Sequence, residues 1–249
     1  MDNTFMIGLS RQMALRQAMD VVANNIANAN TAGFKVESLL LENTAAPTAE
    51  QADGPADLQF VDVWGMGRDF RQGELQRTGR DLDVAIEGDG FFAVDVNGAE
   101  QYTRDGRLHL DPTGQLVASD GAPVLDGDTR APIILDPSAR EVRIVDGGTI
   151  MQDGIMAGRI GVFDITNLGG LSKQGNGRYI QGNDPDGQNP PDPMLDPVVA
   201  QGFVESSNVQ AVVEMTDMMT IMRSYASVSK FIEQAEDLNR RAIERLGKA

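Results

Sequence analysis

The chain has 249 residues, 41% of them hydrophobic, and a formal charge of −16 at neutral pH without a single cysteine. Length and apolar content suffice for a packed core in one large or two small domains, while the missing cysteine excludes disulfides, thiolate metal sites and cysteine nucleophiles. The negative charge, relieved by no cluster of lysine or arginine, argues against binding nucleic acid or anionic membranes, and no apolar run approaches the roughly 18 to 20 residues of a membrane span.

Residues Met1 to Ser10 hold no basic residue ahead of their short apolar stretch. They do not read as a cleavable secretion signal, so export, if it occurs, is expected by another route. Charge is unevenly spread: residues 1 to 43 carry three basic and four acidic side chains and residues 208 to 249 six of each, so the middle holds −15 of the −16. Near-neutral ends can approach a neighbour with little repulsion, whereas the acidic middle suits solvation.

From Asn3 to Thr31 there is no proline and one glycine, and Leu15, Met19, Val22 and Ile26 recur at helical spacing. This predicts a helix about 40 Å long. Asn30-Thr31-Ala32-Gly33-Phe34 supplies its stop, with Gly33 free to turn left-handed and Phe34 able to fold back on the last turn. Residues 44 to 57, with Pro47, Gly54 and Pro55, read as a linker. Short β-type runs follow at Asp83–Ile86, Gly90–Val96, Glu100–Thr103, Arg107–Leu110, Gln115–Ser119, Ile133–Leu135, Val142–Val145 and Gly158–Phe163. Turn pairs such as Asn97-Gly98, Asp105-Gly106 and Asp120-Gly121 separate them, as in an antiparallel β domain. Gly182 to Pro197 is proline-rich and reads as a surface loop.

The far end predicts a long helix, with Ser206, Ser207 and Asn208 as candidate caps and no glycine or proline until Gly247. Alternate steps of three and four from Ala211 pass through Glu214, Met218, Ile221, Tyr225, Val228, Ile232, Ala235, Asn239, Ala242 and Leu246. That is a heptad seam broken by Glu214 and Asn239, each a means of fixing register. Met215, Met219 and Met222 widen the stripe with soft side chains suited to more than one neighbour. The seam admits pairing with the first helix, pairing between subunits, or both.

The segment Val22-Ala23-Asn24-Asn25-Ile26-Ala27-Asn28-Ala29-Asn30-Thr31-Ala32-Gly33-Phe34-Lys35 resembles the amino-terminal motif of the bacterial flagellar rod and hook family. Gln201-Gly202-Phe203-Val204-Glu205-Ser206-Ser207-Asn208-Val209, with Glu214-Met215 and Arg223-Ser224-Tyr225, is similar to its carboxy-terminal motif. Between them Gly73-Glu74-Leu75, Leu82-Asp83-Val84-Ala85-Ile86, Gly88-Asp89-Gly90-Phe91-Phe92, Tyr102-Thr103-Arg104 and Gly114-Gln115-Leu116-Val117 match the family's middle. Gly8-Leu9-Ser10-Arg11-Gln12-Met13 and Phe34-Lys35-Val36-Glu37 are nearest the proximal-rod members, with distal-rod members next. Ala226 departs from the glutamate many members carry there.

The resemblance implies a subunit of the axial rod, a helical tube that crosses the periplasm and transmits motor torque. Its terminal helices would form the inner tube, with the β domain outside. Implied partners are copies of itself, other proximal and distal rod subunits, and the flagellar type III export apparatus, which requires no signal cleavage. Nucleic acid, membrane insertion and cofactors are not implied.

Asn24, Asn25, Asn28 and Asn30 crowd four asparagines into seven positions, unfavourable in a helix and needing partners if buried. Asn24 and Asn28 share a face and could set register against another helix; the alternative is that the group frays and caps the helix end. The expected architecture is α+β, with paired, coiled-coil-like terminal helices flanking a mainly antiparallel β domain: residues 1–43, a linker with extended segments over 44–80, a β domain over 81–203, and 204–249. The expected assembly interface is Leu15, Met19, Val22, Asn24, Asn25, Ile26, Asn28, Asn30, Gly33 and Phe34 with Met215, Met218, Ile221, Met222, Tyr225, Val228 and Ile232.

Catalysis is not expected. His109 is the lone histidine, leaving no base for a serine triad, and acid pairs such as Asp81 and Asp83 are ordinary in a chain with 37 acids. Asp184-Pro185-Asp186-Gly187 lacks the later ligands of a calcium loop, and Gly65-Met66-Gly67 opens no helix as a phosphate loop would. A coiled-coil adhesin or a phage-tail-like tube protein is the remaining alternative outside the family.

Overall fold

The computed structural model describes residues 2–46, 58–139, 141–182 and 190–246. Most of the predicted linker, from 47 to 57, and the acidic loop at 184–187 lie outside the described residues, as do the side chains of seam positions Asn239, Ala242 and Leu246. The chain divides into two compact units, one of 1–27, 37–68 and 209–249, the other of 28–36 and 69–208.

The first unit holds α1 (Asp2–Ala27), a hairpin of β1 (Glu37–Ala46) and β2 (Leu58–Arg68), and α2 (Ala211–Leu246). Helix α1 ends at Ala27, short of the predicted Thr31. Asn28 turns the chain instead: its carbonyl accepts from the Thr31 amide at 3.0 Å and its side-chain oxygen from the Thr31 hydroxyl at 3.2 Å. Local side-chain bonding of this kind competes with the helix ladder. Helix α2 starts at Ala211, after the predicted caps, because the Asn208 side chain is engaged elsewhere. Its Oδ1 accepts from the Val36 amide at 2.8 Å and its Nδ2 donates to the Asp69 carbonyl at 2.8 Å.

The hairpin was not legible as a pair of strands. Residues 37–43 read as the end of the signature turn, yet they pair in register from Glu37↔Arg68 to Ala46↔Leu58, with a bulge at Leu40/Leu41 that leaves Trp64 unpaired and exposed. The two helices pack antiparallel. Gln12 Nε2 donates to Ser229 Oγ at 3.1 Å, and a Cβ added at Gly8 would lie 3.0 Å from Ile232.

The second unit is a β domain in which every strand pair among the described residues is antiparallel. Its strands are β3 (Leu75–Arg77), β4 (Val84–Glu87), β5 (Phe91–Val96), β6 (Ala99–Thr103), β7 (His109–Leu110), β8 (Leu116–Val117), β9 (Val142–Val145), β10 (Thr149–Gln152), β11 (Ile155–Arg159), β12 (Val162–Phe163), β13 (Leu171–Gly175), β14 (Arg178–Gln181), β15 (Val198–Gln201) and β16 (Phe203–Glu205). The largest sheet runs β12-β5-β6-β14-β13. Alternation along β5 sends Phe92 and Val94 into a core with Val84, Leu116 and Ile150, and Phe91 and Ala93 into a second with Tyr102, Phe163 and Tyr179. Both faces of β5 are therefore covered, which is why it reads as an unbroken apolar run. The predicted run Ile133–Leu135 forms no strand; it makes one isolated bridge, Ile134 with Gln115, and backbone hydrogen bonds from Ile133 and Leu135.

The β5–β6 turn follows its chemistry. Asn97 and Gly98 both have positive φ, 56° and 83°, as a two-residue hairpin turn requires.

Candidate assembly interface

On α1 the buried line is Ala14, Val21 and Asn25, with Leu15, Met19, Val22 and Ile26 half-buried beside it. The apolar stripe predicts the right spacing but sits one residue off the line that faces α2. Small residues occupy the contact, so the helices approach closely where Gly8 meets Ile232. On α2 the seam residues Met218, Ile221, Tyr225, Val228 and Ile232 are half-buried. Met215, Met219 and Met222 lie off the seam and stand 52%, 52% and 55% exposed, with Val212 at 78%.

Among the asparagines only Asn25 is fully enclosed, 1% exposed, while Asn24 and Asn30 are exposed and Asn28 half-buried. The Asn25 amide donates to the Glu37 carbonyl at 2.8 Å and to Glu214 Oε2 at 3.0 Å, and its oxygen accepts from the Glu37 amide at 3.0 Å. One side chain thus joins α1, the start of β1 and the first turn of α2. The Glu37 carboxylate is held in turn by Arg68 Nε at 2.8 Å. Glu214, which interrupts the apolar seam, is the residue of α2 that Asn25 bonds; the pair expected to face another helix and set its register is Asn24 and Asn28.

Gly33 and Phe34 are placed in the β unit. Gly33 has φ 68°, its amide donates to the Glu205 carbonyl at 2.8 Å, and a Cβ there would lie 2.5 Å from the backbone of Arg104 and Asp105. Only glycine fits so close an approach at that conformation. Phe34 is buried, with the Lys173 ammonium 4.6 Å from its ring centre.

Next to them lies a buried charge cluster that the sequence reading quoted within its motifs without giving it a role. Glu205 Oε1 accepts from Lys35 Nζ at 2.5 Å and from the Gly73 amide at 2.9 Å; Oε2 accepts from Arg104 Nη1 at 3.2 Å. Lys35 Nζ also donates to the Arg71 carbonyl, and Arg104 Nη2 to the Gly88 carbonyl, each at 2.8 Å. The Arg104 guanidinium sits 5.2 Å from the centre of the Phe91 ring. Burial pushes both the Lys35 ammonium and the Arg104 guanidinium below their ordinary pKa, and the Glu205 carboxylate draws each part of the way back. The three residues come from the amino-terminal, middle and carboxy-terminal motifs, so motifs far apart in sequence meet at one carboxylate. The available signal was charged residues set inside otherwise apolar or glycine-rich motifs, Phe34-Lys35 and Val204-Glu205.

Among the described residues no group of carboxylates and histidine is arranged to hold a metal, and no helix is long and apolar enough to cross a membrane.

Three family models match the chain in order. A flagella basal body rod protein model covers residues 5–35, a flagellar hook protein FlgE/F/G D1 domain model covers 85–152, and a flagellar basal body rod FlgEFG protein C-terminal model covers 200–245. The chain is 45% identical to the flagellar basal-body rod protein FlgF of Caulobacter vibrioides, over 100% of this chain and 99% of that protein. It is 34% identical to FlgF of Rhizobium meliloti, covering 97% and 96%, and 32% identical to the rod protein FlgG of Bacillus subtilis, covering 93% and 94%.

Proposed function

We propose, from the premise that this chain belongs to the flagellar basal-body rod protein family, FlgF-like with FlgG as close kin, that its helix unit is the element through which rod subunits join. The protein is a structural subunit of the flagellar basal body and not an enzyme. The observation that carries the assembly reading is the apolar face left open on α2: Val212, Met215, Met219 and Met222 recur at helical spacing and all stand at least half exposed. A helix already paired on one side has no need of a second apolar stripe unless another surface covers it. Methionine suits a surface that must accept neighbours in more than one orientation.

Copies of this chain and other rod subunits are the partners, and the tube they build transmits torque across the periplasm. The 45% identity to the FlgF of Caulobacter vibrioides, against 32% to the FlgG of Bacillus subtilis, supports a place in the proximal rod. The same reading takes the chain out of the cytoplasm through the flagellar export apparatus.

Removal of residues 231–249 takes away Ile232, which packs at Gly8, and the second half of α2. The truncated chain is expected to be missing from purified hook-basal bodies while its β unit keeps its circular dichroism. Recovery of normal amounts in basal bodies would overturn the assembly reading.

A further inference from the structure

A cleft of about 220 Å³ lies beside the buried charge cluster, formed wholly by residues of the β unit. Phe70, Ile165 and Leu168 give it an apolar side. Asp89 and Asp164 line it too; both are exposed, and neither forms an ion pair among the described residues. Arg104 completes the lining, although only 3% of that residue is exposed.

The guanidinium of Arg104 is not fully used. Nη1 is engaged by Glu205 and Nη2 by the Gly88 carbonyl, whereas Nε is buried with no hydrogen-bond partner. In the planar fork of arginine the Nε–H bond shares an edge with Nη2. It therefore faces the Gly88 side, where Asp89 and Gly90 form part of the cleft. A buried donor left unmet is costly, so an acceptor placed there is favoured.

Charge decides which acceptor fits. Lys35 and Arg104 stand against Glu205, Asp89 and Asp164, two cations against three carboxylates, which leaves the neighbourhood negative. A ligand carboxylate would be repelled by Asp89 and Asp164, while a neutral carbonyl would not. A cation at the two acids, a neutral carbonyl at Nε and an apolar side chain on Phe70, Ile165 and Leu168 together describe the first residue of a peptide. The volume falls below the roughly 300–1,000 Å³ of sites for drug-sized ligands, so it suits one residue rather than a longer segment.

We propose that this cleft captures the free amino terminus of a peptide or protein whose first residue is apolar, with the α-ammonium at Asp89 and Asp164, the first carbonyl accepting from Arg104 Nε, and the side chain on Phe70 and Leu168. The site is independent of α2, because all of its residues belong to the β unit.

Titration of the isotope-labelled full chain with small probes tests it. Leucinamide, which carries the cation, the carbonyl and the side chain, is expected to shift the amide resonances of Gly90 and of Ile165 to Leu168; no shift at these amides overturns the proposal. N-acetylleucinamide lacks the cation and is expected to bind roughly ten-fold more weakly, the scale of two partly exposed ion pairs. Equal binding of the two overturns the proposal. Leucine itself should bind several-fold more weakly than leucinamide, and leucyl-glycyl-glycinamide at least as tightly. Leucine matching leucinamide, or the peptide binding clearly worse, overturns capture of a peptide end. Asp89→Asn/Asp164→Asn alters only exposed side chains and is expected to keep the circular dichroism while lowering leucinamide affinity about ten-fold. Unchanged affinity overturns the proposal, and should the variant not fold, the probe series on the unaltered chain decides.

Discussion

The two units bury their apolar side chains to very different degrees. In the β unit Val84, Val94, Ile150, Ile160 and Phe163 have no exposed surface, and both faces of β5 are covered by the chain itself. In the helix unit one seam is half-buried and a second apolar stripe on α2 faces outward, joined by Trp64 and Leu41 on the hairpin. Apolar burial is worth about 25 cal/mol per Å². The β unit draws that stabilisation from its own fold, whereas the helix unit leaves an apolar stripe of α2 exposed. One chain thus combines a finished module with an unfinished one.

Predictions follow from trying to break each side of this contrast. The largest effect is expected at Glu205: Glu205→Ala leaves Lys35 and Arg104 buried without their counter-charge, and loss of one partner of a buried ion pair costs about 3–5 kcal/mol. Thermal unfolding followed by circular dichroism measures it, and a stability within about 1 kcal/mol of the original would refute the role given to the cluster. Next comes Asn25→Ala, which strips buried hydrogen bonds from Glu37 and Glu214. A loss of about 2–3 kcal/mol is expected, seen as faster amide exchange in α1 and α2, against less than about 0.5 kcal/mol for Asn24→Ala on the exposed face. Gly33→Ala forces a side chain into a left-handed, crowded position and is expected to cost more than about 1 kcal/mol.

Acid should erode the β unit further. Burial tends to raise the Asp126 carboxyl pKa, but amides of Thr129, Arg159 and Asp128 together hold it below its ordinary 3.8. A carboxylate depressed in the fold stabilises above its unfolded value and loses that contribution as pH falls through the folded one. Stability should therefore drop below about pH 4, and Asp126→Asn should flatten that limb of the curve. The smallest effect on the isolated chain is expected from Met219→Glu/Met222→Glu, less than about 0.5 kcal/mol. On the proposed assembly reading the same variant should nevertheless be lost from basal bodies, since it places charge on the exposed apolar face of α2.

Much of this architecture was legible from residue patterns, and where it was not the reason is physical. Period and turn chemistry located both helices and most runs between residues 83 and 163, because alternation and Asn-Gly or Asp-Gly turns are local signals. The hairpin escaped because Glu37 to Asn43 has no clean alternation and its partner begins 21 residues after Glu37, at Leu58. Strands β15 and β16 escaped because they are short and pair with β4 and β3 far back in the chain, whereas β13 and β14 form a local hairpin across Asn176-Gly177 whose turn signal went unread. Asn25 was visible as one costly amide among four, but choosing it over Asn24 required knowing which side of α1 meets Glu214. Lys35, Arg104 and Glu205 stood in plain view as letters of three motifs, and only the fold brings them together.

Glu205 lies 170 residues from Lys35 and 101 from Arg104 along the chain. A polypeptide emerging from the ribosome exposes both cations long before their carboxylate has been made. Until then, closing the β unit around them would strand two charges away from water. Contacts of such long sequence separation form late and slow the search for the native state. Closure of the unit around these cations is therefore expected to await Glu205, so a chain cut short of it should leave the β unit open.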